Sequence, residues 1–286
     1  MPLRDESKYF IKVDNEPPEV TEIREKILNT FNELVFVDEG HKYYLHDEEL
    51  MSVSVFAGQF EEEFDSIQKA TDYAEKHGNT PEYWLDQWKF TNLKATKTGT
   101  QVHALAEGLA WLKLGCPDNI PDDKKYQYIA DKNWLIPTRP KEESALKFWN
   151  EFRENLWVVL PETKVYTSAG NIKYKTNFAG TFDLLCYYKD PIDDIKSGLI
   201  VFDYKTNGEI YKNFSRQHNK MLYYPFDDLY QEPFGVYTIQ LNCYTTCLED
   251  IGLHVIEKNL IWLKDDGTYD VISIEDVTDK IRKIIK

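Results

Sequence analysis

The pattern of hydrophobic and polar residues divides the chain into a helical first half and a strand-rich centre. Residues 21–34 (TEIREKILNTFNEL) place apolar side chains on one face of a helix. Residues 98–114 (TGTQVHALAEGLAWLKL) have the clearest helical pattern, which Thr98 or Thr100 can cap. The same spacing predicts further helices over 66–77, 81–90 and 141–156.

The N-terminal part combines these helices with a β-hairpin. The residues LVFVDEGHKYYL predict two short strands joined by a turn at Asp38-Glu39-Gly40, and residues 52–60 either continue the second strand or begin a helix. Residues 1–20 are charged and contain Pro17-Pro18, so we expect a frayed arm. The polar, proline-containing segment 115–140 predicts a long connection or lid.

From residue 157 the pattern changes to that of strands. The strand-like runs are VVLPETKVYT, FAGTFDLLCYY and GLIVFDYKT, with turns expected at Gly170-Asn171 and Ile192–Gly198. The remainder predicts helices over 214–231, 236–250 and 275–285 and strands over 254–263 and 268–274. This order predicts an α/β or α+β fold with a central mixed sheet flanked by helices. We divide the chain into an N-terminal region, 1–95, packed on a core, 96–286.

Composition excludes several classes of protein. Hydrophobic residues make up 42% of the chain, which is enough for a sizeable core and excludes a disordered chain. Four scattered cysteines do not suffice for a disulfide framework and favour a reducing interior. The chain has no apolar run that is long enough to predict a membrane span, and its first ten residues lack the apolar part of a signal peptide. We therefore expect a cytoplasmic protein.

The net charge of −15 argues against a general nucleic-acid coat, but the acidity is uneven. Residues 1–65 hold six basic and 17 acidic residues, whereas 164–175 contain three lysines and no acid. Residues 196–220 contain five basic and two acidic residues. A basic groove on an acidic protein is therefore compatible with the sequence, while acidic runs such as Glu61-Glu62-Glu63 are expected to be solvated faces.

Candidate chemistry gathers in the strand-rich centre. Asp183 ends the run FAGTFD, and Asp203 follows the apolar run LIVF with Lys205 two residues later. A buried carboxylate is costly unless a metal or a partner compensates its charge. Asp203 and Lys205 point to the same face of a strand, and Asp183 on an adjacent strand would complete a site for Mg²⁺ or Mn²⁺. Lys205 could then deprotonate or orient a water molecule, or stabilise charge on a phosphate; a solvated salt bridge is the alternative.

Three further positions strengthen this interpretation. Glu162 lies on the preceding strand, and His103 and Glu107 share one face of a helix that follows Gly99-Thr100, where a helix N-terminus could approach a phosphate. Gln240 and Tyr244 are likewise one turn apart. Each has a purely structural alternative: a satisfied histidine, or a glutamine that is hydrogen-bonded in the core.

Taken in order, these residues resemble the PD-(D/E)XK nuclease superfamily, in particular its RecB-like and lambda-exonuclease-like branch, which includes many phage-encoded enzymes. The matching motifs, in chain order, are Gly99-x-x-x-His103-x-x-x-Glu107, Glu162, Gly180-x-x-Asp183, Asp203-Tyr204-Lys205-Thr206 and Gln240-x-x-x-Tyr244. The resemblance covers about residues 96–265. Each motif alone is weak, and the ordered set is specific.

The resemblance implies a restriction-endonuclease-like core with a helical N-terminal addition. It implies metal binding by Asp183 and Asp203, with contributions from His103, Glu162 and the carbonyl of Tyr204, and it makes Lys205 the catalytic lysine. Gln240 and Tyr244, with Glu107 and Thr206, would support the site or contact DNA. Iron–sulfur members carry cysteines that this chain lacks at the corresponding places, so no iron–sulfur cluster is expected.

The resulting hypothesis is a Mg²⁺- or Mn²⁺-dependent deoxyribonuclease with one or two ions, tending toward an exonuclease in phage-type recombination, replication or repair. The alternative is a catalytically silent or partner-regulated protein on a nuclease scaffold, which would bind a basic protein through its acidic N-terminal region. No membrane partner is expected, an oligomer is compatible with the sequence, and a phage protein would act in the host cytoplasm. The sequence does not decide between exonuclease and endonuclease action or between DNA and RNA as the substrate, and it does not give the strand polarity.

Overall fold

The computed structural model describes residues 15–116, 139–152, 155–169 and 172–286, and shows an α+β protein built on a mixed sheet flanked by helices. The fold class predicted from the sequence is thereby confirmed. The helices are α1 (Pro18–Phe31), α2 (Val53–Gly58), α3 (Ser66–His77), α4 (Pro81–Lys113), α5 (Pro140–Asn150), α6 (Asn213–Gln217), α7 (Pro233–Asp250) and α8 (Thr278–Ile285). The strands are β1 (Val35–Val37), β2 (Lys42–Leu45), β3 (Glu48–Ser52), β4 (Leu156–Tyr166), β5 (Phe178–Tyr188), β6 (Gly198–Lys205), β7 (Val255–Leu263) and β8 (Tyr269–Ser273).

The long strand β5 lies at the centre of the sheet. β4 runs antiparallel along one edge of β5, while the other edge pairs first with β3 in parallel and then with β6 antiparallel. β7 is parallel to β6, and β8 is antiparallel to β7. The predicted hairpin is present as β1 and β2, and it continues into β3. The N-terminal strands therefore extend the same sheet that carries the later motifs.

The sheet divides in the middle of β5. Pairing with β3 ends at Ala179 and pairing with β6 begins at Leu184, so the intervening residues of β5 lie where two neighbouring strands diverge. At this point the backbone amide of Tyr204 donates to Oδ2 of Asp183 at 2.7 Å. This amide is thus paired with a side-chain carboxylate, where a regular ladder would offer a backbone carbonyl. An acidic group therefore lies where β3 and β6 diverge along β5.

Helix α4 is longer than the sequence pattern indicated. It runs without a break from Pro81 to Lys113. Thr80 caps it, because Oγ1 of Thr80 accepts a hydrogen bond from the backbone amide of Tyr83. The predicted cap at Thr98 or Thr100 is wrong, because helical hydrogen bonding continues through both residues. The expected helix N-terminus beside Gly99-Thr100 is therefore absent. The proposed division at 95/96 falls within this helix.

Two other predicted helices need correction. The helix expected over 214–231 stops at Gln217, and Met221 forms an antiparallel bridge with Tyr230 instead. Asn219 ends the helix, because its φ of +48° is left-handed and the amides of Asn219 and Lys220 close the last turn onto the carbonyls of Arg216 and Ser215. The helix expected over 141–156 ends at Asn150, and Leu156 already belongs to β4.

Other expectations are confirmed or lie outside the described residues. Ser52 ends β3 and caps α2, so the segment 52–60 begins a helix. The first 14 residues of the frayed arm expected over 1–20, most of the segment 115–140 and the turn at Gly170-Asn171 lie outside the described residues. The end of that arm is not frayed, because Pro18 already begins α1 and Val20 is fully buried. Within the described part of the chain, no helix combines the length and the apolar character that crossing a membrane requires.

Candidate metal centre

Three acidic residues from three strands lie side by side at the division of the sheet. Glu162 of β4 is opposite Asp183 of β5, because its two sequence neighbours pair with the two neighbours of Asp183. Asp203 of β6 lies opposite Asp183 on the other edge, one step beyond the pair Leu184–Phe202. Residues far apart in the sequence are thus brought together by the strand register, as the motif order predicted.

Helix α4 adds a histidine to this row. Nδ1 of His103 lies 3.3 Å from Oδ1 of Asp183, and His103, Glu162 and Asp183 each offer a ligand atom within 4.8 Å of the others. His103 keeps 30% of its side-chain surface exposed, whereas Asp183 keeps 10%. The three side chains therefore form a small, partly accessible group with one nitrogen and several oxygen donors, which suits a divalent cation.

Gly99 marks the place where α4 comes close to the end of β6. A Cβ atom at Gly99 would lie 3.4 Å from Oγ1 of Thr206, which is an ordinary van der Waals distance. The helix thus packs against the residue that follows Lys205, although this packing does not require a glycine. His103 lies one turn further along the same helix.

Asp203 has a different partner from Asp183. Its Oδ2 lies 2.5 Å from Nζ of Lys205, and Asp203 is only 2% exposed. The two groups attract each other by charge, but Oδ2 accepts no hydrogen bond of ordinary geometry from the described residues. Asp203 is not one of the three ligand residues, but it lies next to them.

Lys205 is held by the helix α7 as well as by Asp203. Its ammonium group donates to Oε1 of Gln240 at 3.3 Å and lies 4.2 Å from the centre of the Tyr237 ring. Nε2 of Gln240 donates in turn to the hydroxyl of Tyr244 at 2.9 Å. The predicted pair Gln240 and Tyr244 therefore supports the lysine directly, which favours the supporting role over a purely structural one.

Gly180 gives Tyr244 its place. A Cβ atom at Gly180 would lie 2.7 Å from a ring carbon of Tyr244 and 2.9 Å from a methyl group of Val53. Only a residue without a side chain permits this approach. The spacing Gly180-x-x-Asp183 thus joins two tasks in one strand: it admits the tyrosine that supports Gln240, and it supplies the central carboxylate.

Burial and neighbouring charges shift the pKa values of the site. Burial favours neutral His103, but the negative charge of Asp183 and the nearby acids outweighs this effect and raises the pKa of His103 to about 9. Burial, together with repulsion from Asp183, raises the pKa of Asp203 to about 6. Burial also opposes charge on Lys205 and Asp183, yet their oppositely charged neighbours raise the pKa of Lys205 and lower that of Asp183.

The remaining predicted residues surround this group. Glu107 is buried and accepts from Nε1 of Trp111 at 3.4 Å, one helical turn away from His103 and outside the group of three. Tyr204 reaches the site through its backbone amide, whereas a role for its carbonyl stays a prediction. The carbonyl of Thr206 accepts a hydrogen bond from Lys141 of α5.

Sequence reasoning missed several neighbours of the site. Tyr237 faces Lys205, and its position one turn before Gln240 on the same helix could have indicated it. The hydroxyl of Tyr43 lies 3.0 Å from Oγ1 of Thr181, two residues from Asp183, and Lys141 secures the segment after β6. Nothing in the sequence around Tyr43 or Lys141 indicates these contacts, because both depend on elements that meet only in the folded chain.

Comparison with known proteins adds no family to this description. No protein-family model matches the chain, and no curated protein matches it. The chemistry of the site and the order of its residues are what remains to indicate a function.

Proposed function

We propose that the chain is a metal-dependent DNA nuclease that hydrolyses phosphodiester bonds, related to the PD-(D/E)XK superfamily and its lambda-exonuclease-like branch. The observation that carries the proposal is the convergence of His103, Glu162 and Asp183 beside the ion pair of Asp203 and Lys205. Five motifs that are scattered over the sequence contribute to one location. A solvated surface salt bridge does not explain the two buried carboxylates of Asp183 and Asp203 beside a half-buried Glu162.

The donor set fits a divalent cation such as Mg²⁺ or Mn²⁺. Carboxylate oxygens of Glu162 and Asp183 and the imidazole nitrogen of His103 would hold it, and the buried carboxylate of Asp203, which is paired with Lys205, adds a further negative group. When bound, such an ion supplies Lewis acidity and lowers the pKa of a coordinated water. The number of ions, one or two, is part of the proposal that metal titration would test.

Lys205 has the role of stabilising negative charge. Its raised pKa keeps the ammonium protonated at neutral pH, so among the roles considered it is suited to orient a water or a phosphate and not to accept a proton. Asp203 and Gln240 hold the ammonium in place, and the ring of Tyr237 lies against it. A group that is fixed in advance stabilises the developing charge of a transition state without reorganisation.

A panel of end-labelled linear, circular and single-stranded DNA, incubated with Mg²⁺, Mn²⁺ or EDTA, tests the proposal. We expect cleavage with Mg²⁺ or Mn²⁺, none with EDTA, and recovery when excess Mn²⁺ is added. Degradation of linear but not circular DNA would establish exonuclease action. Cleavage that is indifferent to EDTA would contradict the proposal. A pure protein that cuts no substrate with either ion would favour the alternative of a silent or partner-regulated scaffold.

A further inference from the structure

Arg24 of α1 occupies a position where the helix pattern calls for an apolar residue. It lies on the buried face of α1 with Val20, Ile27 and Phe31, and only 1% of its surface is exposed. Its guanidinium group is 2.8 Å from Oε1 of Glu16, which balances the charge. A buried arginine is costly and requires specific partners. The hydrogen-bond partners of Arg24 other than Glu16 indicate which part of the structure the buried arginine stabilises.

Those partners are the carbonyls of an irregular stretch of β4. Nε of Arg24 donates to the carbonyl of Val159 at 2.8 Å, and a terminal nitrogen donates to the carbonyl of Val158 at 3.2 Å. The pairing of β4 with β5 shifts between Val158 and Leu160, so Val159 is an extra residue in the ladder. A β-bulge of this kind leaves backbone groups without their ladder partners, and the planar guanidinium fork suits two adjacent carbonyls.

The bulge determines which residue of β4 faces Asp183. The ladder before the bulge pairs Val158 with Cys186. Continued without a shift, it would place Pro161 opposite Asp183 and Glu162 opposite Phe182. The extra residue moves the register by one, and Glu162 becomes the partner of Asp183. A slip of one residue would remove this carboxylate from its place in the row.

The backbone at Glu162 is also unusual. Its φ angle is +43°, a left-handed conformation that residues other than glycine rarely adopt inside a strand. Such strain persists only where the surrounding structure enforces it. The bulge that Arg24 contacts lies three residues earlier in the same strand.

We propose that Arg24 is a positioning residue of the metal centre: it stabilises the bulge at Val159 and thereby holds Glu162 opposite Asp183. This inference rests on the proposed function for its purpose, while the link from Arg24 to the register is independent of catalysis. Arg24 touches none of the ligand residues itself. Its effect on the site would pass entirely through β4.

The test measures Mn²⁺ affinity by calorimetry for the whole chain and for the variants Arg24→Gln, Arg24→Lys and Glu162→Gln. Loss of a residue that orients a metal ligand weakens metal binding by about 10- to 100-fold, and we expect Arg24→Gln to fall in this range. Arg24→Lys keeps the charge beside Glu16 but loses the fork, so we expect a smaller loss. If Arg24→Gln does not fold, the Mn²⁺ affinity of Arg24→Lys decides the question.

A double-mutant cycle separates positioning from general support of the fold. If Arg24 acts through Glu162, adding Arg24→Lys to Glu162→Gln weakens Mn²⁺ binding no further. Losses that multiply, or an unchanged affinity in Arg24→Lys, would overturn the inference. The control is Lys189→Gln, which removes another contact of α1 with the sheet, the 2.8 Å pair of Lys189 with Glu19, without touching the bulge. It should bind Mn²⁺ as the unmodified chain does.

Hydrogen exchange of the metal-free chain provides a readout that does not depend on the metal. In Arg24→Lys we expect faster exchange of the β4 amides of Leu160, Glu162 and Thr163, with β7 unchanged. Equal exchange in β4 would contradict the link between Arg24 and the bulge. An unmodified chain that binds no Mn²⁺ would instead contradict the proposed function, and the exchange experiment would still judge the role of Arg24.

Discussion

At the scale of single residues, the support of Lys205 depends on a series of contacts that begins at a glycine. Tyr244 packs against Gly180 and accepts from Gln240, which in turn accepts from the ammonium of Lys205. Each member leaves little freedom to the next because the groups are largely buried. A change at the glycine should therefore reach the lysine, although the two residues do not touch.

We predict that Gly180→Ala destabilises the protein. The new methyl group would lie 2.7 Å from the ring of Tyr244, and overpacking of this kind costs about 1–3 kcal/mol. The free energy of unfolding in urea measures the effect. Gly58→Ala is the control, because no atom lies within 4 Å of a Cβ placed there, and we expect no loss of stability. Equal stability of Gly180→Ala and the unmodified chain would contradict the described packing.

The raised pKa of His103 predicts a pH dependence of metal binding. A protonated imidazole cannot ligate a metal, and with a pKa of about 9 His103 is mostly protonated near neutral pH. Binding must displace this proton, so Mn²⁺ affinity should rise about tenfold per pH unit between roughly pH 7 and 8.5. Asp203, with a pKa of about 6, is already ionised in this window. Calorimetry of the unmodified chain and of His103→Gln measures the slope, which the variant should lose; a flat profile in the unmodified chain would contradict the assignment.

At the scale of elements, α4 has two distinct halves. Its C-terminal half is buried and carries His103, whereas residues 89–97 are exposed. Lysines stand at positions 89, 94 and 97, and no acidic residue occurs between Asp86 and Glu107. On a chain with a net charge of −15, this stretch is a local concentration of positive charge that leads to the metal centre. If the proposed function is correct, it suits a phosphate backbone.

We predict that Lys94→Glu combined with Lys97→Glu weakens DNA binding. Each lost phosphate contact should lower the slope of log affinity against log salt by about one. Fluorescence anisotropy with a labelled oligonucleotide in EDTA measures binding without cleavage. The control, Lys196→Glu with Lys283→Glu, changes the net charge equally at exposed positions on other elements. If both double variants bind alike, α4 has no specific part in binding.

The elements also show where sequence patterns suffice. The strands β4, β5 and β6 and the helices α1 and α7 follow clear periodicities, and their prediction is largely confirmed. The start of α4 at Pro81 agrees with the helix predicted over 81–90, but its unbroken continuation through 91–97 could not be found from periodicity, because those residues are all exposed and have no buried apolar face. The segment after Gln217 shows the opposite error, since the helical spacing continues in the sequence while the left-handed backbone of Asn219 ends the helix.

At the scale of the whole molecule, the N-terminal region belongs to the same sheet as the site. β3 pairs with β5, Tyr43 contacts Thr181, and Arg24 supports β4. The sequence motifs predicted which residues converge, because each motif is a local pattern. They could not reveal the bulge, the strained Glu162 or the contacts of Arg24, because strand register depends on pairing between segments that are distant in the chain.

The central claim is that one pocket binds a metal and cleaves DNA with the help of Lys205. Single-turnover cleavage of DNA in Mn²⁺ by Lys205→Met, Asp203→Asn and the control Asp194→Asn, with Mn²⁺ affinity measured in parallel, tests it most directly. Asp194 is exposed and lies just before the first residue of β6, whereas Asp203 lies near the end of that strand. We predict that Lys205→Met folds and binds Mn²⁺ but cleaves about 100- to 1,000-fold more slowly. Asp203→Asn should lose cleavage as well, and Asp194→Asn should match the unmodified chain. Full cleavage by folded Lys205→Met and Asp203→Asn would contradict the claim.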